Sequence, residues 1–196
     1  KGIAPGDVSD RDLEALADLA ERYSFGEARV THEQNIVLAD VEQTKLPELF
    51  QALGQHNLDR ANRGLATDMI CCPGGDYCSL ANAKSIPVAA AIEETFQDPE
   101  AERLLGPLTI NISGCMNACG HHHVANIGIL GVDKKGQEFY QLSVGGEPGD
   151  QARIGRILGP SVARAEIQWV VQRLTQCYQQ HRDDAETFNQ TLDRVG

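Results

Sequence analysis

The sequence predicts an α+β fold in two parts, a small unit followed by a larger one built on a mixed sheet. Three observations carry this. Helical periodicity runs through Leu13, Leu16, Ala17, Leu19 and Ala20, and again through Ile167, Val170, Val171, Leu174 and Tyr178. Short apolar runs with strand character lie between these stretches. A polar stretch from Leu58 to Gly64 separates an early group of elements from a late one and places a boundary near residue 66. A chain of 196 residues is long enough for one large domain or two small ones with a real core.

The first part is taken as residues 1–65. Lys1 to Val8, with Gly2, Pro5 and Gly6, is an extended lead-in. Ser9 then reads as a helix N-cap, with Asp12 as an imperfect capping-box partner, so a helix is expected over residues 10–23. Gly26 ends the following turn. Ala28 to His32 and Asn35 to Leu38 read as two strands joined by a short turn. Thr44 is the expected cap of the next helix, Pro47 falls in its first turn and Gly54 stops it. Helix, strand, strand, helix is most of a ferredoxin-like unit.

The second part, residues 66–196, begins with an apolar strand, Ala66 to Cys72. Ser79 to Lys84 and Ile86 to Phe96 are helical by pattern, with Ser85 and Pro87 marking a break between them. Ala89, Ala90, Ala91 and Ile92 form a face small enough to lie close to a sheet, and Asp98-Pro99 ends the helix. Leu108 to Ile112 and Val124 to Val132 are strands. Gly128 and Gly131 in the latter point to close approach of something bulky. Asp133 to Gly136 is a hairpin turn into Phe139 to Val144. Ser161 to Gln180 reads as a long helix, with Cys177 packed near its apolar stripe, and Glu186 to Val195 as a last short one.

Four of the six cysteines fall in two glycine-containing loops that follow strands. Cys72 and Cys78 enclose five residues, Cys115 and Cys119 enclose three, and 36 residues separate the pairs. Loops on strand ends can bring four thiolates to one point, which an iron–sulfur cluster requires. Structural zinc takes cysteines two to four residues apart, so only the second pair suits it. An even cysteine count permits disulfides, and no thioredoxin-type pair is present. Spacing alone ranks a cluster first, zinc second and disulfides third. Cys71, adjacent to Cys72 on a strand, points to the opposite face and reads as a core residue.

Three other features bear chemistry. His121-His122-His123 cannot all face one metal; one or two near a cofactor would pair with carboxylates or donate protons, and the group otherwise covers polar surface. Gly145 to Asp150, with Arg153 and Arg156 nearby, has the composition of an anion-cradling loop, or of a plain surface loop. No Gly-Lys-Ser/Thr follows it, which excludes a P-loop. Arg29, on composition alone, is a surface strand charge. The net charge of −11 disfavours nucleic acid and anionic membranes as partners. No apolar run is long enough to span a bilayer and no signal peptide opens the sequence. Cysteines without a disulfide-scaffold pattern suit a reducing, cytoplasmic setting.

The two cysteine stretches together resemble the signature of the sirohaem-dependent sulfite and nitrite reductases. That family carries Cys-x5-Cys and, downstream, Gly-Cys-x-Asn-x-Cys-Gly, matched here by Cys72, Cys78, Gly114, Cys115, Asn117, Cys119 and Gly120. Arg29, Thr31, Gln34 and Asn35 resemble a second motif, Arg-x-Thr-x-x-Gln-Asn, from the family's ferredoxin-like region. The resemblance covers nearly the whole chain but only the second half of the family's enzymes, which are built from two related halves. Each motif occurs once here, so a C-terminal fragment is expected.

The resemblance implies a ferredoxin-like sulfite/nitrite reductase unit over 1–65 and a sirohaem and [4Fe-4S] binding domain over 66–196. Cys72, Cys78, Cys115 and Cys119 would hold the cluster, and Cys119 would bridge it to the sirohaem iron. Asn117 would line the pocket, Arg29 would face it, and His121, His122 and His123 would lie near the cofactor. The implied reaction is six-electron reduction of a small anion, sulfite or nitrite, with electrons from a ferredoxin or a flavoprotein. The main substrate-binding cations of the family lie in the other, N-terminal half, so the fragment alone is expected to be nearly inactive and to lack sirohaem. A cysteine-ligated zinc module and a metal-free domain of reduced thiols are the rival readings; neither accounts for the Arg29 to Asn35 match.

Overall fold

The computed structural model describes residues 7–196, so the first six residues of the lead-in expected over Lys1 to Val8 lie outside them. The chain divides into two units, Lys1–Arg63 and Gly64–Gly196, each with its own core.

In the first unit, α1 (Asp10–Tyr23) is followed by β1 (Ala28–Val30), β2 (Ile36–Leu38) and α2 (Leu46–Gly54). Ser9 and Asp12 close a complete capping box at the start of α1. Leu19, Tyr23 and Leu49 form the buried centre, with Leu38, Val41, Ala52 and Leu53 packed on it. The strands are shorter than expected because the motif residues between them build the turn. The Thr31 N–H donates to the Asn35 carbonyl (2.9 Å), the Asn35 N–H donates to Thr31 Oγ1 (3.1 Å), and Gln34 takes a left-handed backbone. Thr44 does not cap α2. It lies inside a 3-10 turn, Gln43–Lys45, that leads into the helix, and Pro47 supplies the start signal one turn later.

The second unit carries a mixed six-stranded sheet. β3 (Ile70–Cys71), β4 (Ile110–Ser113) and β5 (Ile127–Lys134) are parallel neighbours; β6 (Gln137–Val144) returns antiparallel to β5 through the Lys135-Gly136 turn. β7 (Arg156–Ile157) and β8 (Val162–Ala163) both pair with β6. Ile110, Ile112, Ile127, Ile129 and Tyr140 from the sheet pack with Val88, Ala89 and Ile92 of α3 (Ile86–Glu93) and Ile167 and Val171 of α5 (Ile167–His181). Of the expected small-residue face of α3, Ala89 and Ile92 are buried while Ala90 and Ala91 are half-buried, and Cys71 is wholly buried in the same core. α4 (Pro99–Leu105) and α6 (Phe188–Val195) complete the helices.

Several expectations fail for identifiable reasons. Ser79 to Lys84 is not helical, because the N–H groups of Asn82 and Ala83 both donate to the Gly114 carbonyl (2.9 and 3.0 Å) instead of to their own turn. Asp98-Pro99 starts a helix rather than only ending one: Asp98 caps the N–H groups of Glu100 and Ala101, and Pro99 occupies the first turn of α4. Ser161 to Ala163 do not join α5, since Val162 and Ala163 pair with Tyr140 and Phe139 of β6. Cys177 is exposed, with its sulfur 3.7 Å from His181 Nδ1, and does not pack in the core.

Glu102 of α4 is buried and its carboxylate accepts the Thr67 N–H at 2.7 Å, which ties α4 to the chain entering β3. Glu102→Ala leaves that donor without its acceptor and is expected to cost about 2 kcal/mol. Glu102→Gln keeps an acceptor and should recover most of the loss. Denaturant unfolding of the three chains checks both.

Candidate metal centre

β3 and β4 are adjacent and parallel, so the loops leaving their carboxyl ends start side by side. Cys72 follows β3 directly, and Gly114-Cys115 follow β4 directly. The Cys72 N–H still donates to the Ile112 carbonyl, extending the pairing by one residue. From there the two loops are pressed together. A Cβ at Gly114 would lie 2.7 Å from the Ala83 carbonyl oxygen and 2.9 Å from Gly74 Cα, closer than any side chain tolerates. The Gly114 N–H donates to Cys72 Sγ at 3.0 Å, and the Ser85 hydroxyl lies 3.5 Å from the same sulfur.

The segment Asn82–Ser85 straps the loops to each other. Its Ala83 carbonyl accepts the Gly75 N–H of the first loop, while Asn82 and Ala83 donate to Gly114 of the second. It is braced from β6: the Lys84 N–H donates to Glu138 Oε1 (3.1 Å) and the Tyr140 hydroxyl donates to the Lys84 carbonyl (2.8 Å). Burial holds the Tyr140 hydroxyl well above its usual titration range, so it stays a donor. Lys84 Nζ reaches Asp76 Oδ1, inside the first loop, at 3.0 Å.

The second loop turns sharply. Ala118 and His121 both hold left-handed backbones, a strain that clusters at functional sites. The chain then runs back beside β4. Gly120 lies against Ile112, where a Cβ would come within 2.1 Å of the carbonyl oxygen, and the Asn111 side chain donates to the His121 carbonyl. The histidine turn therefore sits a few residues back from the cysteine loops, above the β4 and β5 backbones. His122 points inward and is 3% exposed; its Nδ1 has no partner among the described residues. Burial, with the neighbouring His123 ring adding to it, holds its pKa down to about 4, so it is neutral at pH 7. His121 and His123 are exposed.

The four cysteines grade from inside to outside. Cys72 and Cys115 are buried, Cys78 is partly buried and Cys119 is exposed. Asn117 is exposed beside it, and Tyr77, Leu80 and Met116 present apolar side chains to solvent around the loops. Among the described residues, no three His, Cys, Asp or Glu side chains lie close enough to hold one metal ion. Tetrahedral zinc draws its sulfurs to about 2.3 Å from one centre. A four-iron cluster spreads its four thiolate ligands over a larger volume, and the donor set here fits that group: four sulfurs on two interlocked loops, with a backbone N–H already directed at one of them.

Two family models divide the chain between them. Residues 2–56 match the nitrite/sulfite reductase ferredoxin-like half domain, and residues 65–196 match the nitrite and sulphite reductase 4Fe-4S domain. The chain belongs to the nitrite and sulfite reductase family. It is 32% identical to sulfite reductase [ferredoxin] 1 of Mycolicibacterium paratuberculosis, over 95% of this chain and 36% of that protein. It is 33% identical to the ferredoxin--nitrite reductase of Synechococcus elongatus, over 88% of this chain and 34% of that one. The structure of Mycobacterium tuberculosis NirA superposes with a TM-score of 0.84 at 27% identity, over 100% of this chain and 37% of NirA. Dissimilatory sulfite reductase I shares the fold, with a TM-score of 0.79 at 15% identity over 98% of this chain and 65% of that one. The chain thus spans about a third of the length of the curated relatives it matches. Membership of the nitrite and sulfite reductases implies a [4Fe-4S] cluster and sirohaem as the family's cofactors, and the second unit is the family's cluster domain.

The other candidates fall elsewhere. Arg29 lies on β1 in the first unit, exposed and ion-paired with Glu27 and, at 3.7 Å, with Asp40. Arg153 bridges to Asp193 at 2.8 Å, and Glu147 of the glycine-rich loop lies 4.0 Å from it. Sequence reading missed Ser85 and the Asn82–Ala83 strap. A serine before a helix signals a cap, and nothing local marks one turned towards a sulfur.

Two outcomes follow. Gly114→Ala forces Ala83 or Gly74 to move and is expected to destabilise the second unit by about 3 kcal/mol. Gly75→Ala, whose nearest contacts of 3.5 Å are ordinary, is expected to stay within about 0.5 kcal/mol of the parent. Denaturant midpoints distinguish them. Stability should also fall as pH drops from 6.5 towards 4, because the unfolded chain protonates His122 there and the folded chain does not. The contribution is on the order of 3 kcal/mol. His122→Leu should flatten that part of the stability profile.

Proposed function

We propose that this chain is the cluster-bearing part of a sulfite or nitrite reductase, with Cys72, Cys78, Cys115 and Cys119 as the [4Fe-4S] ligands and Cys119 also the sulfur shared with the sirohaem iron. The interlocking of the two cysteine loops at Gly114 carries this reading. Loops fixed on each other hold their thiolates without reorganisation when the cluster changes charge. The exposure of Cys119 supports its double role, since only an outward sulfur can serve a second group. Bound there, the cluster and sirohaem supply single-electron transfer and the iron at which the anion is reduced by six electrons.

The protein's own residues orient and shield. Asn117, beside Cys119, lines the cofactor pocket, and the exposed Tyr77, Leu80 and Met116 suit a flat apolar neighbour. His122 is neutral, which leaves proton donation or carboxylate pairing to His121 and His123. Lys84, Arg29 and Arg153 are each already paired with carboxylates of this chain. That supports an N-terminal half as the source of the cationic substrate pocket, with this chain alone nearly inactive. The donor is a ferredoxin, the class named for the relatives, or a flavoprotein. No described helix is long and apolar enough to cross a membrane, and the setting we propose is cytoplasmic.

Anaerobic reconstitution with iron, sulfide and sirohaem tests the assignment. The parent should develop a broad brown cluster band, and any tetrapyrrole bands that couple to it should uncouple in Cys119→Ser. A cluster band without tetrapyrrole uptake would place completion of the sirohaem pocket in the other half. A colourless protein would refute the ligand assignment. Robust sulfite or nitrite reduction by residues 1–196 alone would refute the inactivity.

A further inference from the structure

Ser85 occupies the N-cap position of α3, where a serine hydroxyl ordinarily accepts an N–H from the first turn of its helix. Here it makes no such bond. The side chain is 0% exposed and its hydroxyl lies instead 3.5 Å from Cys72 Sγ. It sits in the contact between the two cysteine loops: a Cβ at Gly74 would fall 2.6 Å from Ser85 Oγ, and one at Gly114 would fall 3.0 Å from it. Two glycines, Gly74 on one loop and Gly114 on the other, thus leave room for this one oxygen.

We infer that Ser85 is a tuning residue that donates its hydroxyl proton to Cys72 Sγ and, with the Gly114 N–H, raises the reduction potential of the cluster. This rests on the proposal that Cys72 is a cluster ligand. A ligating thiolate carries no proton and only accepts, so the serine is the donor and keeps its proton throughout. Donors to a ligand sulfur stabilise the reduced cluster, which carries one more negative charge, more than the oxidised one. Burial enlarges the effect, because no water competes for the sulfur. Among the described residues, no hydrogen bond ends on the sulfur of Cys78, Cys115 or Cys119. Cys72 is therefore the ligand at which this chain sets the potential.

The test is a redox titration of the full chain, reconstituted anaerobically with iron and sulfide, beside Ser85→Ala and Ser85→Thr. The midpoint of Ser85→Ala is expected to shift to a more negative value while Ser85→Thr, which keeps the hydroxyl, stays near the parent. Because the serine makes no cap bond, the thermal midpoint of Ser85→Ala should hardly move. An unshifted Ser85→Ala potential overturns the inference. Equal shifts in both variants also overturn it, since they report loosened packing. Failure of the parent itself to form a cluster overturns the ligand assignment, and the inference with it. If Ser85→Ala does not take up a cluster, proton resonance of the reduced parent after brief exposure to D2O decides. A coupled proton that exchanges at a hydroxyl's rate while an amide coupling persists upholds the donor; its absence removes it.

Discussion

The second unit depends on one close contact, the seating of Gly114 against Gly74 and Ala83. Its N–H is spent on Cys72 Sγ and its carbonyl on Asn82 and Ala83, and the space between the loops admits the Ser85 hydroxyl but no Cβ at Gly74 or Gly114. The contact exists because β3 and β4 run parallel and adjacent, which brings two carboxyl ends to one edge. That edge is where parallel sheets present their chemistry. The rest of the unit maintains the arrangement. α4 holds the entry to β3 through Glu102, and β6 holds the strap through Glu138 and Tyr140. The hydrophobic core takes in Ile110 and Ile112 of β4 and Ile127 and Ile129 of β5.

Much of this was legible where local signals act alone. The capping box at Ser9 and the stripe of α5 each depend on a few residues close in sequence and formed as read, and the hairpin turn expected over Asp133 to Gly136 formed at Lys135-Gly136, with Asp133 and Lys134 in the strand. The errors share another cause. Ser79 to Lys84 has helical periodicity, but its donors go to Gly114, more than thirty residues further along the chain. Val162 and Ala163 have helical neighbours, but a free edge of β6 claims them. Asp98 carries stop and start signals together, and only the packing of α4 chooses between them. In the first two cases a long-range hydrogen bond outweighed a propensity worth tenths of a kcal/mol, on the order that such propensities reach.

The site shows the same division. Cysteine spacing and flanking glycines were visible as a pattern, and the reason for the glycines was not: Gly114 and Gly120 are excluded from bearing Cβ by Ala83, Gly74 and Ile112, contacts that exist only after folding. The histidine triplet illustrates the limit in the other direction. Three identical side chains in a row invite a single role, but a 3-10 turn gives them different environments, with His122 buried and neutral between two exposed rings.

Net charge gives the last constraint. On the proposed function, a chain at −11 beside an anionic cluster, a polycarboxylate tetrapyrrole and an anionic substrate accumulates repulsion unless cations are brought in. Its own cations near the loops are committed: Lys84 to Asp76 at 3.0 Å, and Arg164 near Glu138 at 4.0 Å. Withdrawing them would free the loop and the brace that position the sulfurs. The chain therefore uses neutral donors, the Gly114 N–H and the Ser85 hydroxyl, to stabilise negative charge where space is tightest. Such dipoles act over a few ångströms without adding a counter-charge that a second partner must solvate. On the same proposal, the long-range neutralisation falls to the N-terminal half, the source proposed above for the cationic substrate pocket.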